Sequence, residues 1–185
     1  MMFCFVSLIH IPGIVGAPGN RILWAVALRE MAFGGGALAL ASAQTETGRA
    51  QRTRWVLTLA RLFVGIPIVF FAVEHFLHPE FSPGVPLAKL TPVWIPARLL
   101  ISYLTGTVLA VTGLGLIFNK EARLAATWLG LMVLTLVLVV YVPVVIANPS
   151  DIGNGLNYLV DALLLSGSAL VLAGAQTRGS RIRGV

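Results

Sequence analysis

The chain has 185 residues, of which 57% are hydrophobic and 11% charged, and its mean hydropathy is +0.90. Soluble domains carry about 25% charged residues, and thirteen basic plus seven acidic side chains cannot cover this much apolar material. That excludes an ordinary soluble enzyme and a disordered chain, and the single cysteine, Cys4, excludes an internal disulfide scaffold. The net charge of +6 does not point to nucleic acid. Its basic residues sit in short clusters between apolar runs, as membrane-flanking charges do, with no basic face carrying interleaved aromatics.

A bilayer core of about 30 Å needs about 20 apolar residues as helix. The apolar runs are continuous rather than alternating, so helices are expected and a barrel is not. Six segments are predicted, giving an all-α, polytopic transmembrane bundle. The first, residues 1–15, is short and ends at Pro12-Gly13 and Pro18-Gly19. It has neither the positive start nor the small-residue cleavage site of a signal peptide. Residues 22–43 form the second. Residues 55–77 form the third, with Pro67 expected as a kink. Residues 96–118, 122–146 and 156–175 form the last three. Gly106, Gly113, Gly115, Gly167 and Ser168 are expected to let helices approach closely. Trp24, Trp55 and Trp94 fall at segment ends, as an aromatic belt would place them. Trp128 lies deeper and is expected to be a packing residue.

Arg49, Arg52, Arg54, Lys120, Arg123, Arg178, Arg181 and Arg183 fall on one side of this arrangement. Arg21, Lys89 and Arg98 fall on the other. The basic excess predicts cytoplasmic termini and an outward loop over residues 78–95. The Pro-rich stretch through PGVP to Ile95-Pro96 is expected to be an ordered loop folded over the bundle.

The sequence also repeats itself. LIHIPGIVGAPG (8–19) lies over VVYVPVVIANPS (139–150), with Pro12 and Pro143 in register at an offset of 131. One residue later, GGALALASAQT (35–45) lies over GSALVLAGAQT (167–177), with eight of 11 positions identical and Arg49 over Arg181. A duplication makes residues 1–48 the last two helices of a first unit and residues 49–178 a complete four-helix unit. Residues 179–185 are then a basic tail. The chain is on this reading a fragment, or its start is placed too late. Units with an even number of helices repeat in parallel, about an axis along the membrane normal.

Ionisable groups in or beside a span are functional candidates. Glu74, His75 and His78 cluster in FFAVEHFLHPEFSPGVP, with Glu74 and His78 four apart on one helix face. Arg98, Arg29 with Glu30, and Asp161 are expected at the same outward level. Three roles compete for this cluster. It would bind a metal through imidazole and carboxylate, although no HExxH and no Cys partner accompany it, and no metal site is assigned. It would take up protons, or line a cavity for a substrate or a quinone head group. Or it would cap a helix end and pair with Arg98, the favoured role. The cofactor stays open, with a quinone the one candidate. Arg29 and Asp161 fall at equivalent repeat positions, so they are expected to pair across the interface between units. Arg61, about two turns into the third segment, is expected to snorkel or to pair within the bundle. No phosphate-binding glycine loop, G-x-S-x-G, CxxC or haem pattern is present.

The unit from ARLFVG, with Arg61 and Gly65, to the small-residue helix YLTGTVLAVTGLGLIF, with Gly106 and Gly113, resembles the DoxX-like family of small bacterial four-helix membrane proteins over residues 52–177. Glu74-His75 stands where that family often has a Gly and a Lys, and no catalytic residue carries over. The resemblance implies a non-catalytic or accessory subunit near a quinone-linked redox system. A small transporter with an outward polar entry site is the second class, and an enzyme using that cluster the third. The expected partners are the lipid bilayer and a membrane protein or second copy of the chain.

Overall fold

The computed structural model describes residues 6–44, 50–151 and 155–181. Cys4, Arg49 and Arg183, and the side chains of Arg52, Arg178 and Arg181, lie outside that description, as does the expected boundary near residue 48.

The described elements are helical. A π-helical turn, Val6–His10, leads into α1, Ile11–Gly16. Then come α2, Arg21–Gln44; α3, Ala50–Leu77; α4, Arg98–Ile117; α5, Ala122–Ala147; and α6, Asn157–Arg181. The helices α2 to α6 are each long and apolar enough to cross a membrane, so the chain is a multi-pass membrane protein with five such helices among the described residues. The sixth expected segment is described only as the short helical stretch Val6–His10 and Ile11–Gly16, well under the length of a span.

Local chemistry sets the boundaries. The side chain of Asn20 accepts the Ile22 N–H at 3.0 Å and caps the start of α2. His78-Pro79 ends α3, since the residue before proline avoids helical backbone. Asn119, at φ +56°, takes the left-handed position that closes α4, and the Lys120 N–H returns to the Gly115 carbonyl at 2.9 Å.

Packing runs α4 on α3, α3 on α2, α2 on α6 and α6 on α5, with α2 wedged between α3 and α6. Small residues make these contacts close. A Cβ on Gly106 would lie 3.0 Å from the His75 Cβ, and one on Gly113 would lie 2.8 Å from Val69. The closest approach is where α2 meets α6: a Cβ on Gly36 would lie 2.8 Å from the Cα of Ser168. Gly167 departs from expectation, because it is exposed and nothing lies within 4 Å of the position its Cβ would take. Trp128 is 59% exposed and faces outward from α5, so it is not a packing residue. Arg61 is 8% exposed and does not snorkel; its Nη2 donates to Thr58 Oγ1 at 3.5 Å.

The sequence repeat has a geometric counterpart. Val6–His10 and Val137–Tyr141 are both five-residue π-helical turns followed by a six-residue α-helix with proline at its start. Both helices end on the same backbone shape, φ −145° and ψ 70° at Ala17, φ −139° and ψ 71° at Asn148. The Ala17 N–H returns to Gly13 and that of Asn148 to Val144; Asn20 then bonds Ala17 as Asp151 bonds Asn148. Every element of this correspondence keeps the 131-residue offset.

Candidate functional site

The polar side chains gather where α2 begins, α3 ends and α6 begins. The loop of residues 78–97 between α3 and α4 folds over that end as a short hairpin. An antiparallel bridge joins Phe81 and Leu90, and Ser82 donates to Lys89 O at 2.9 Å. Residues 82–87 at its tip are all buried. Irregular buried backbone is tolerated only where protein satisfies its polar groups, and four side chains from four helices do so here, with Glu74 holding one of the four.

Arg21 of α2 is the first. Its Nη1 donates to Glu74 Oε2 at 2.7 Å and to Pro86 O at 3.3 Å, its Nη2 donates to Leu87 O at 3.0 Å, and its guanidinium lies 3.9 Å over the Phe81 ring. Glu74 of α3 thereby orients Arg21 on the loop; the two side chains are 7% and 22% exposed. His75, 1% exposed, accepts the Gly84 N–H on Nε2 at 2.8 Å, which puts the proton of a neutral ring on Nδ1. Nδ1 then donates to Phe71 O at 2.6 Å, within α3. Gly84 turns at φ +100°, a conformation that favours glycine, and so presents its N–H to the imidazole. Tyr141 of α5 donates to Pro83 O at 2.7 Å, and the Tyr158 hydroxyl of α6 accepts the N–H groups of Ala88 and Lys89 at 3.0 and 2.9 Å. Lys89 Nζ pairs with Asp151 at 3.1 Å, tying the loop to the α5–α6 turn.

The six residues expected as one cluster separate. Glu74 and His75 hold the loop. His78 lies beyond the helix end, half exposed, 3.7 Å from the exposed Glu80, and does not join them. The Arg98 side chain makes no hydrogen bond or ion pair among the described residues, and the expected Glu74–Arg98 pairing gives way to Glu74–Arg21. Arg98 opens α4 beside the exposed Leu99 and Leu100, whereas Arg21, Ile22 and Leu23 at the start of α2 are part-buried. Arg29 and Asp161 form a second site. Arg29 lies about 12 Å along α2 from Arg21, at 1.5 Å per residue. It donates to Asp161 on α6, and its other terminal nitrogen lies 3.4 Å from Glu30. These are the repeat-equivalent residues, and they pair across the α2–α6 seam as the repeat predicts. Gly36 and Ser168, seven residues further along each helix, continue that seam.

Among the described residues, no group of three or more His, Cys, Asp and Glu is placed to hold a metal ion. Comparison with protein-family models, with curated proteins and with solved structures finds no match to this chain.

Two cavities lie away from the loop clamp. One, about 630 Å³, is an apolar cleft between α4 and α5 that includes Val111, Phe118 and Trp128. The other, about 340 Å³, is a groove between α2 and α6. Arg21, Gly84, Tyr141 and Tyr158 were not singled out from sequence as site residues. Two tyrosines near the ends of apolar helices were the available signal, because a buried Tyr hydroxyl needs a partner.

Proposed function

We propose that the chain is a non-catalytic accessory subunit of DoxX-like type, seated beside a quinone-linked redox enzyme in a bacterial inner membrane. One observation carries this reading. The outward polar residues that would serve a substrate are engaged in holding a loop: Glu74 on Arg21, and both ring nitrogens of His75 on backbone groups. A bundle whose ionisable groups close its own end is suited to scaffolding more than to turnover. The quinone link and the bacterial membrane rest on the resemblance of residues 52–177.

The chain then crosses as one four-helix unit, α3–α6, preceded by a helix pair, α1 and α2. The shared geometry of residues 6–20 and 137–151 supports that division. The C-terminus and the α2–α3 and α4–α5 connections face the cytoplasm, because eight basic residues fall on that side and three on the other. Its partners are the surrounding lipid and a membrane protein of the redox complex.

The test is purification of the tagged chain from its own membranes in mild detergent, followed by assay of quinone reduction. Quinone-reducing activity is expected to copurify with the wild-type chain and to be lost with Glu74→Ala, together with thermal stability. Pure chain without such activity, combined with pH-driven flux in proteoliposomes that Glu74→Gln abolishes at unchanged stability, would establish a transporter instead.

A further inference from the structure

The two halves of the repeat are unequal in what covers them. On α2, Ala32, Gly35 and Ala39 are buried. A Cβ on Gly35 would meet Val64 at 2.8 Å and the Ala60 carbonyl at 2.9 Å, both on α3. Their equivalents on α6, at the 132-residue spacing that joins Arg29 to Asp161, are Leu164, Gly167 and Val171. Leu164 and Gly167 are exposed and Val171 is half-buried. All three line the 340 Å³ groove between α2 and α6. That groove therefore stands to α6 as α3 stands to α2. The relation is a local two-fold, because equivalent residues face each other across it: Arg29 meets Asp161, and Gly36 meets Ser168. A two-fold that carries α2 onto α6 carries α3 into the groove.

We propose that the groove is the seat of a transmembrane helix of α3 type presented by a partner membrane protein. Its chemistry follows from the occupied side. It is an apolar helix that presents a small residue, in the place of Ala60, to Gly167 at backbone contact. It gives room beside Leu164, which stands where α2 has Ala32. With it, Gly167 is covered as Gly35 is. A lipid chain would fill the volume without selecting a register, so register is the property to measure. The inference rests on the local two-fold that relates α2 to α6, and not on the redox role.

The probe is a synthetic peptide of residues 54–77 carrying Ala60→Cys, incorporated in bilayers with the full chain bearing Cys4→Ala and Gly167→Cys. Gly167 has open space around it, so the variant is expected to fold. Disulfide yield at Gly167→Cys is expected to exceed that at Leu138→Cys, an exposed control that lines neither cavity, at least tenfold, and to fall when the peptide cysteine moves to Ile66. Gly167→Leu is expected to abolish the association of the unmodified peptide. Equal yields at the two positions, no yield, or Gly167→Cys chains linking to one another in preference to the peptide would overturn the proposal. The last outcome would place a second copy in the groove. None of these outcomes bears on whether Glu74 variants lose redox activity, so the two readings fail separately.

Discussion

Gly35 and Gly167 open two nearly identical stretches, GGALALASAQ and GSALVLAGAQ, yet one is pressed against α3 and the other is open. The stretches share helix propensity and hydropathy, so neither property decides burial. What decides it is whether a neighbouring helix is there to be met. The same lesson holds at the loop-closed end. His75 and His78 are three residues apart, but one is locked between two backbone groups and the other is half exposed beside Glu80.

Substitutions that treat each pair alike should therefore give unlike results. The largest difference is expected between Gly35→Leu and Gly167→Leu. The first drives a side chain into the Ala60 carbonyl and should destabilise by more than about 3 kcal/mol, beyond typical overpacking. The second should stay within about 0.5 kcal/mol, as exposed changes do. Denaturant titration in micelles measures both, and equal losses would mean that the α6 face is packed after all. Next comes Glu74→Ala against Glu80→Ala. Removing one partner of a buried pair costs about 3–5 kcal/mol; with Arg21 partly exposed, about 2–4 kcal/mol is expected for Glu74. The exposed Glu80 should give under about 1 kcal/mol. Then His75→Phe should leave the Gly84 N–H and the Phe71 carbonyl without that partner, at about 1–3 kcal/mol for a buried unsatisfied group. Limited proteolysis should cut residues 78–97 faster in that variant than in His78→Phe. Smallest is Trp128→Ala, expected within about 0.5 kcal/mol because the ring faces outward; a loss near that of a core aromatic would show a covered face.

The long helices were legible because continuous apolar runs leave lipid-spanning helices as the economical solution. The predicted 22–43, 55–77 and 122–146 fall within Arg21–Gln44, Ala50–Leu77 and Ala122–Ala147. The repeat was legible too, and through it the Arg29–Asp161 pair, which no local pattern connects across 132 residues. Facing was much less legible. Trp128 has the depth of a core residue, but depth along a helix does not say which side meets lipid. Arg21 and Glu74 are 53 residues apart and become partners only because the start of α2 packs beside the end of α3. Arg98 was the natural alternative, being near in sequence and at the same level. Gly84 and the two tyrosines went unread because their roles exist only in the folded loop.

We propose that the buried charges of this bundle join its parts rather than perform chemistry. Charge exchange at the α2–α6 seam tests it most directly. Arg29→Asp and Asp161→Arg each set like charges together, and each should lower the melting temperature in nanodiscs by roughly 10 °C, as a loss of about 3–5 kcal/mol implies for this size. The double exchange restores opposite charges across the same seam and is expected to recover most of that loss. A double variant no more stable than either single would contradict the claim, and would mean that Arg29 and Asp161 are kept for something other than each other.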